Sequence, residues 1–172
     1  AALYVAYNGA NTQFNNDVEV NSSGSGGVRI GSSTGSSTLA SGKFIRQGTA
    51  GFSAGALQLA RITFDGSETQ ELSASGTAVL TLGPSTLFNG SVNVNFPGIN
   101  LNGITCMATS AFTKTGSSNE SGSGNNVFNA PVTINHAGSG YMTMAGSARD
   151  IFNSTVNLNS TGTGSLYMEI GR

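Results

Sequence analysis

Two stretches of this chain, Gly31-Ser32-Ser33-Thr34-Gly35 and Gly51-Phe52-Ser53-Ala54-Gly55, match G-x-S-x-G, the elbow that presents a nucleophilic serine between a strand and a helix. The helix that such an elbow needs has no counterpart in the sequence. His136 is the sole histidine and so the sole candidate base, yet it directly follows Asn135 at a position whose repeat equivalents are Ser22, Phe96 and Ser160. Ester hydrolysis is therefore not expected. Among the eight carboxylates only Asp65, Glu68 and Glu71 form a tight group. Polysaccharide-cleaving β-helices draw their acid and base from such clusters, but these three flank a turn after Phe64, where a solvated acidic turn is the ordinary explanation. One His and one Cys leave no zinc set, and calcium-binding G-G-x-G-x-D repeats are absent. The glycine-rich turns fail as phosphate cradles, because Arg29 and Tyr167 occupy the third glycine position. Cys106, alone, excludes an internal disulfide and reads as a small buried residue. No cofactor is expected.

What must position these residues is a repeat. The phrase F-N-x-x-V-x-[V/I/L]-N occurs at Phe14 to Asn21, Phe88 to Asn95, Phe128 to Asn135 and Phe152 to Asn159. Apolar residues alternate with polar ones in each copy (Val18 and Val20, Val92 and Val94, Val132 and Ile134, Val156 and Leu158), as a strand with one buried and one wet face requires. Ser/Gly turns follow, and then a second alternating strand closed by glycine: Val28 and Ile30 before Gly31, Met142 and Met144 before Gly146, Leu166, Met168 and Ile170 before Gly171. Each unit thus reads as strand, turn, strand, turn. The steps from Phe64 to Phe88 and from Phe128 to Phe152 are equal, a period of roughly 24 residues that falls in the range of repeat architectures. The interval from Phe14 to Phe64 allows two further coils. The interval from Phe88 to Phe128 breaks the period, and its Ser/Gly/Asn run Thr115 to Asn126 reads as an insertion or a looped-out rung.

A fixed period of this size marks a solenoid, in which each unit buries its apolar face only by stacking on its neighbours. The expected fold is all-β, a repetitive β-solenoid or parallel β-helix of roughly 24-residue coils. About seven coils at about 4.8 Å per rung would make a rod section about 34 Å long. The Phe residues should stack in the interior, each contributing about 1.5–3 kcal/mol of burial. Asn21, Asn95, Asn135 and Asn159 should form a ladder at a turn, where amides satisfy backbone groups. Ala2-Leu3-Tyr4-Val5 matches Ser165-Leu166-Tyr167-Met168, so residues 1–172 read as one segment, about one 163-residue super-repeat, of a longer array.

Composition narrows the function. Charged residues make up 9% of the chain, Gly numbers 25 and Trp is absent, so Ser, Thr, Asn and Gly replace the usual charged surface. With seven scattered basic residues and a net charge of −1, no nucleic-acid or anionic-membrane footprint is visible. No apolar run approaches the roughly 20 residues of a membrane-spanning helix. The outward positions Glu19, Asn93, Thr133 and Asn157 lack the uniform Thr row of an ice-binding face, whereas glycan binding stays open as the alternative. Five N-x-[S/T] triplets begin at Asn21, Asn89, Asn119, Asn153 and Asn159, as this composition produces by chance.

The stretches Phe128 to Tyr141, Ser37 to Lys43 and Phe112 to Gly116 carry phrases similar to F-N-G-x-V-T-I-N-x-x-G-S-G-Y, S-T-L-A-S-G-K and F-x-K-T-G. In these phrases the chain resembles giant repeat-containing cell-surface proteins of Bacteroidota-type bacteria, a group that includes the extracellular grappling-hook filaments of predatory filamentous marine bacteria. The resemblance covers nearly the whole chain and carries no chemistry. It implies a homo-oligomeric fibre of parallel chains, joined by lateral and end-to-end contacts, working outside the cell in attachment or prey capture, with surface glycans or a prey cell surface as partners.

Overall fold

The structure, a computed structural model, describes residues 3–5, 12–16, 18–21, 28–31, 37–39, 44–47 and 57–168. Among the described residues every regular element is a strand and no helix occurs. Strands one coil apart pair in parallel, as Thr105 does with Val127 and Val127 in turn with Ile151, which makes the fold a β-solenoid.

Three faces run along the solenoid. The first holds Leu3–Val5, Val28–Ile30, Leu57–Leu59, Val79–Leu82 and Gly98–Leu101 in one sheet. A bridge from Asn102 to Gly124 leads to its continuation through Glu120–Ser121, Met142–Thr143 and Leu166–Tyr167. The second face is an unbroken seven-stranded sheet: Thr12–Phe14, Ser37–Leu39, Ile62–Phe64, Thr86–Phe88, Ile104–Cys106, Val127–Phe128 and Ile151–Phe152. The third comprises the pair Val18–Asn21 and Phe44–Gln47, then the sheet Gln70–Ser73, Val92–Phe96, Ser110–Lys114, Val132–His136 and Val156–Ser160.

Each coil therefore has three strands where the sequence pattern shows two. The repeated phrase straddles a corner, so that Phe88 ends a second-face strand and Val92 begins a third-face one. Both residues point inward across that corner, as do Phe128 and Val132. Their spacing along the chain keeps the alternation in step, which is why period two alone conceals the bend.

The irregular interval between Phe88 and Phe128 is a complete rung. Phe88 pairs with Cys106, and Cys106 pairs in turn with Phe128. That rung is short because Pro97 alone joins the third-face strand ending at Phe96 to the first-face strand beginning at Gly98, where the next coil uses residues 115–119. The run Thr115 to Asn126 is not looped out: Gly116 N–H donates to Pro97 O, Gly122 N–H donates to Thr143 O, and Glu120–Ser121 is a paired strand. The interval from Phe14 to Phe64 does hold two coils, since Leu39 pairs with both.

The core is a set of columns running along the axis. Phe64 and Phe88 stack with ring centroids 4.6 Å apart, and Phe128 and Phe152 at 5.1 Å. Between these pairs the column holds the small Cys106, and Phe112 of the third face, in the column of Val94 and Ile134, turns its ring edge-on to Phe128 at 6.1 Å. A large residue on one face thus offsets a small one on another within the same rung.

Two corners show how the chain bends from face to face. Between the first and second faces, Arg61, Ser85, Gly103 and Asn125 stand in equivalent places with φ between 53° and 78°. Backbone bonds along the axis hold this left-handed turn, Arg61 N–H to Pro84 O and Ser85 N–H to Gly103 O, each at 3.0 Å. Between the third and first faces, backbones stack so closely that a Cβ on Gly138 would lie 2.0 Å from Gly116 O, and one on Gly162 2.0 Å from Gly138 O. Only glycine fits that column.

Candidate functional site

The repeat positions separate into an inward and an outward set. Phe88, Val92, Val94, Phe128, Val132 and Ile134 are buried, and Phe14, Val18, Phe152 and Val156 are half-buried. Leu158 is 50% exposed because no described coil covers its rung. The strand Val18–Asn21 pairs with Phe44–Gln47, and the side chains of Val20 and Asn21 lie outside the described residues.

The expected amide ladder exists but stands elsewhere. Asn95, Thr113, Asn135 and Asn159 are consecutive register partners on the outer surface of the third face, within strands and not at a turn. Asn159 Nδ2 donates to Asn135 Oδ1 at 2.8 Å, and Asn135 Nδ2 to Thr113 Oγ1 at 3.1 Å. The amides satisfy one another along the axis instead of capping backbone groups, because the outward-facing strand position repeats at the rung spacing. On the same face, Asn93 Nδ2 donates to Glu71 Oε1 at 2.7 Å.

A second ladder follows the Phe column. Asn89 Nδ2 donates to Asp65 Oδ1 at 2.8 Å, Asn153 Nδ2 to Asn129 Oδ1 at 2.8 Å, and Asn129 Nδ2 reaches Met107 Sδ at 3.1 Å. Its signal is present in the phrase itself, as the Asn right after each Phe. Tyr141 and Tyr167, 38% and 45% exposed, meet edge to face at 6.0 Å on the outside of the first face. They are not register equivalents, since Tyr167 pairs with Thr143, so the repeat period does not single them out as a pair.

A polar group is buried where the corner widens after Phe96. Lys114 and His136 follow Phe96 in one inward column. Lys114 Nζ donates to Gly116 O at 2.8 Å, and His136 Nε2 lies 2.6 Å from Gly140 O, so each ties its own corner loop to the strand before it. Glu120, 6% exposed, accepts from Asn100 Nδ2 at 3.0 Å. Burial holds the Lys114 ammonium below the usual lysine range, partly offset by the Glu120 carboxylate nearby. At the opposite corner Asn126 accepts from Gly103 N–H and Ile104 N–H through Oδ1, and its own N–H and Nδ2 donate to Asp150 Oδ1 at 2.9 Å. Burial raises the Asp150 carboxyl despite those two donors.

The described catalytic candidates Asp65, Glu71 and His136 each have a separate structural partner. His136 is fully buried, Ser53 lies outside the described residues, and so do Ser32 to Gly35. Asp65 and Glu71 accept from the amides of separate outer ladders. Among the described residues no group of three His, Cys, Asp or Glu side chains could hold a metal ion. No described helix is long and apolar enough to cross a membrane. No protein family, curated protein or solved structure matches the chain.

Proposed function

We propose that this chain is a structural stretch of an extracellular fibre or giant surface adhesin, and that it acts by being long and stiff. The observation that carries this reading is the direction of its bonding. Sheet hydrogen bonds link each rung to the next through the seven strands of the second face, and the outer amides of the Asn159, Asn135 and Thr113 ladder bond the same way. Pulling along the axis loads the bonds of all three faces together at each rung interface, so an interface opens only by losing its strand pairings on every face at once. Low charge supports close approach of neighbouring copies. In this reading the chain carries no reaction of its own, and attachment to a cell surface or its glycans is the output.

The test is to display the chain on a heterologous cell surface, image it by electron microscopy and measure adhesion. Rods with cell attachment are expected. Compact particles without attachment, or turnover of a polysaccharide by the purified chain, would overturn the reading.

The exposed Tyr141 and Tyr167 pair favours a second reading, a carbohydrate-binding module, because aromatic faces next to hydroxyl-rich strands suit sugar rings. Under it, Tyr141→Ala with Tyr167→Ala would abolish polysaccharide binding in a pull-down while leaving the fold unchanged. Undiminished binding by the double variant would remove that reading.

A further inference from the structure

The outer surfaces of the faces are not alike. On the third face, among the described side chains from Gln70 to Ser160, outward positions are Asn, Thr, Ser, Ala and Glu71, with amides engaged along the axis. On the second face the middle outward row reads Thr63, Leu87, Thr105, Val127 and Ile151 in consecutive register, half-buried up to Val127 and 45% exposed at Ile151. Aliphatic and β-branched residues on both the inner and the outer side of a parallel sheet are the pattern of strands covered on two faces.

The borders of that row differ in charge. Arg61 and Arg149 stand on one side, two positions before Thr63 and Ile151. Asp65 stands on the other, two positions after Thr63, followed along the axis by Asn89, Met107, Asn129 and Asn153. Within the chain Asp65 accepts only the amide of Asn89 among the bonds described.

We propose that the second face is covered by the second face of another copy, related by a two-fold axis parallel to the rod. This rests on the fibre reading and names its lateral contact. Such an axis turns the row Thr63 to Ile151 onto itself at equal height, and it brings Arg61 of each copy opposite Asp65 of the other. An antiparallel pairing would instead set the two arginine borders against each other, which like-charge repulsion disfavours. The central row supplies the buried apolar contact, and the rim charges choose the parallel register. The isologous arrangement uses one patch twice, so no third copy is needed to close it.

The experiment is cysteine cross-linking of the whole chain, with Cys106 buried and out of reach of oxidant. Leu87→Cys and Val127→Cys lie in the middle row, so each should form a disulfide with its own counterpart under mild oxidation. Thr133→Cys on the third face should not. Arg61→Asp should weaken dimerisation in sedimentation equilibrium about tenfold, and Arg61→Asp combined with Asp65→Arg should restore it. Cross-linking at Thr133→Cys but not in the middle row would overturn this face assignment while leaving association of copies intact. A chain that sediments as a monomer at every concentration would overturn both readings. Failure of the double charge swap to restore dimerisation would overturn the parallel register.

Discussion

Single residues here are constrained chiefly by what lies one rung above and below. Cys106 sits in the phenylalanine column, and burial pushes its thiol up to about 12 from 9.0, against a weaker lowering by the neighbouring Ser110 side chain. The folded state therefore favours the protonated thiol. Its stabilising contribution is complete below about pH 9 and is lost as pH climbs toward about 12. Thermal melting should fall across that window, and Cys106→Ala should show a shallower fall; equal slopes would refute the thiol's part. In the native state at neutral pH a thiol reagent should not react until the chain unfolds. Gly138 makes a different demand. An added Cβ would meet Gly116 O at 2.0 Å, backbone against backbone, so Gly138→Ala should cost about 3 kcal/mol or more, read as a drop in the denaturation midpoint. Ser85, with φ of 59°, is the converse: Ser85→Gly relieves left-handed strain and should stabilise the fold by up to about 1 kcal/mol.

Elements are legible in the sequence wherever alternation and a repeated phrase coincide. The strands at Val92–Phe96, Val132–His136 and Val156–Ser160, their parallel stacking and the phenylalanine column all follow from the phrase. The third strand of each coil does not, because Phe88 and Val92 remain in phase across the corner. Nor does the rung at Cys106, where the phrase is missing and Phe112 fills the space from another face. The outer Asn ladder is visible as a column but not in its true place, since an Asn before a Ser/Gly turn reads equally well as a turn residue and as the end of a strand. The compensation between Cys106 and Phe112 is testable. Cys106→Phe alone overpacks the column and should destabilise by about 1–3 kcal/mol; Phe112→Val added to it should recover much of that loss in urea unfolding. Additive losses would show that the two sites do not share a volume.

At the scale of the whole molecule, the fold has no centre. Each rung contacts the rungs beside it, the columns are continuous, and the outer amide bonds join neighbouring coils, so stability should behave as a sum of rung and interface terms. Phe128 stacks on Phe152 and touches Phe112. Phe128→Ala opens a cavity worth about 3–5 kcal/mol, yet its effect should be local along the rod. Hydrogen exchange should quicken in Ile104–Cys106, Val127–Phe128 and Ile151–Phe152, while Leu57–Leu59 and Ile62–Phe64, at least two rungs from the cavity, keep their protection. A uniform loss of protection through all described strands would instead mean that the rod unfolds as a single cooperative unit, and that its stiffness comes from long-range coupling and not from the stacking of neighbours.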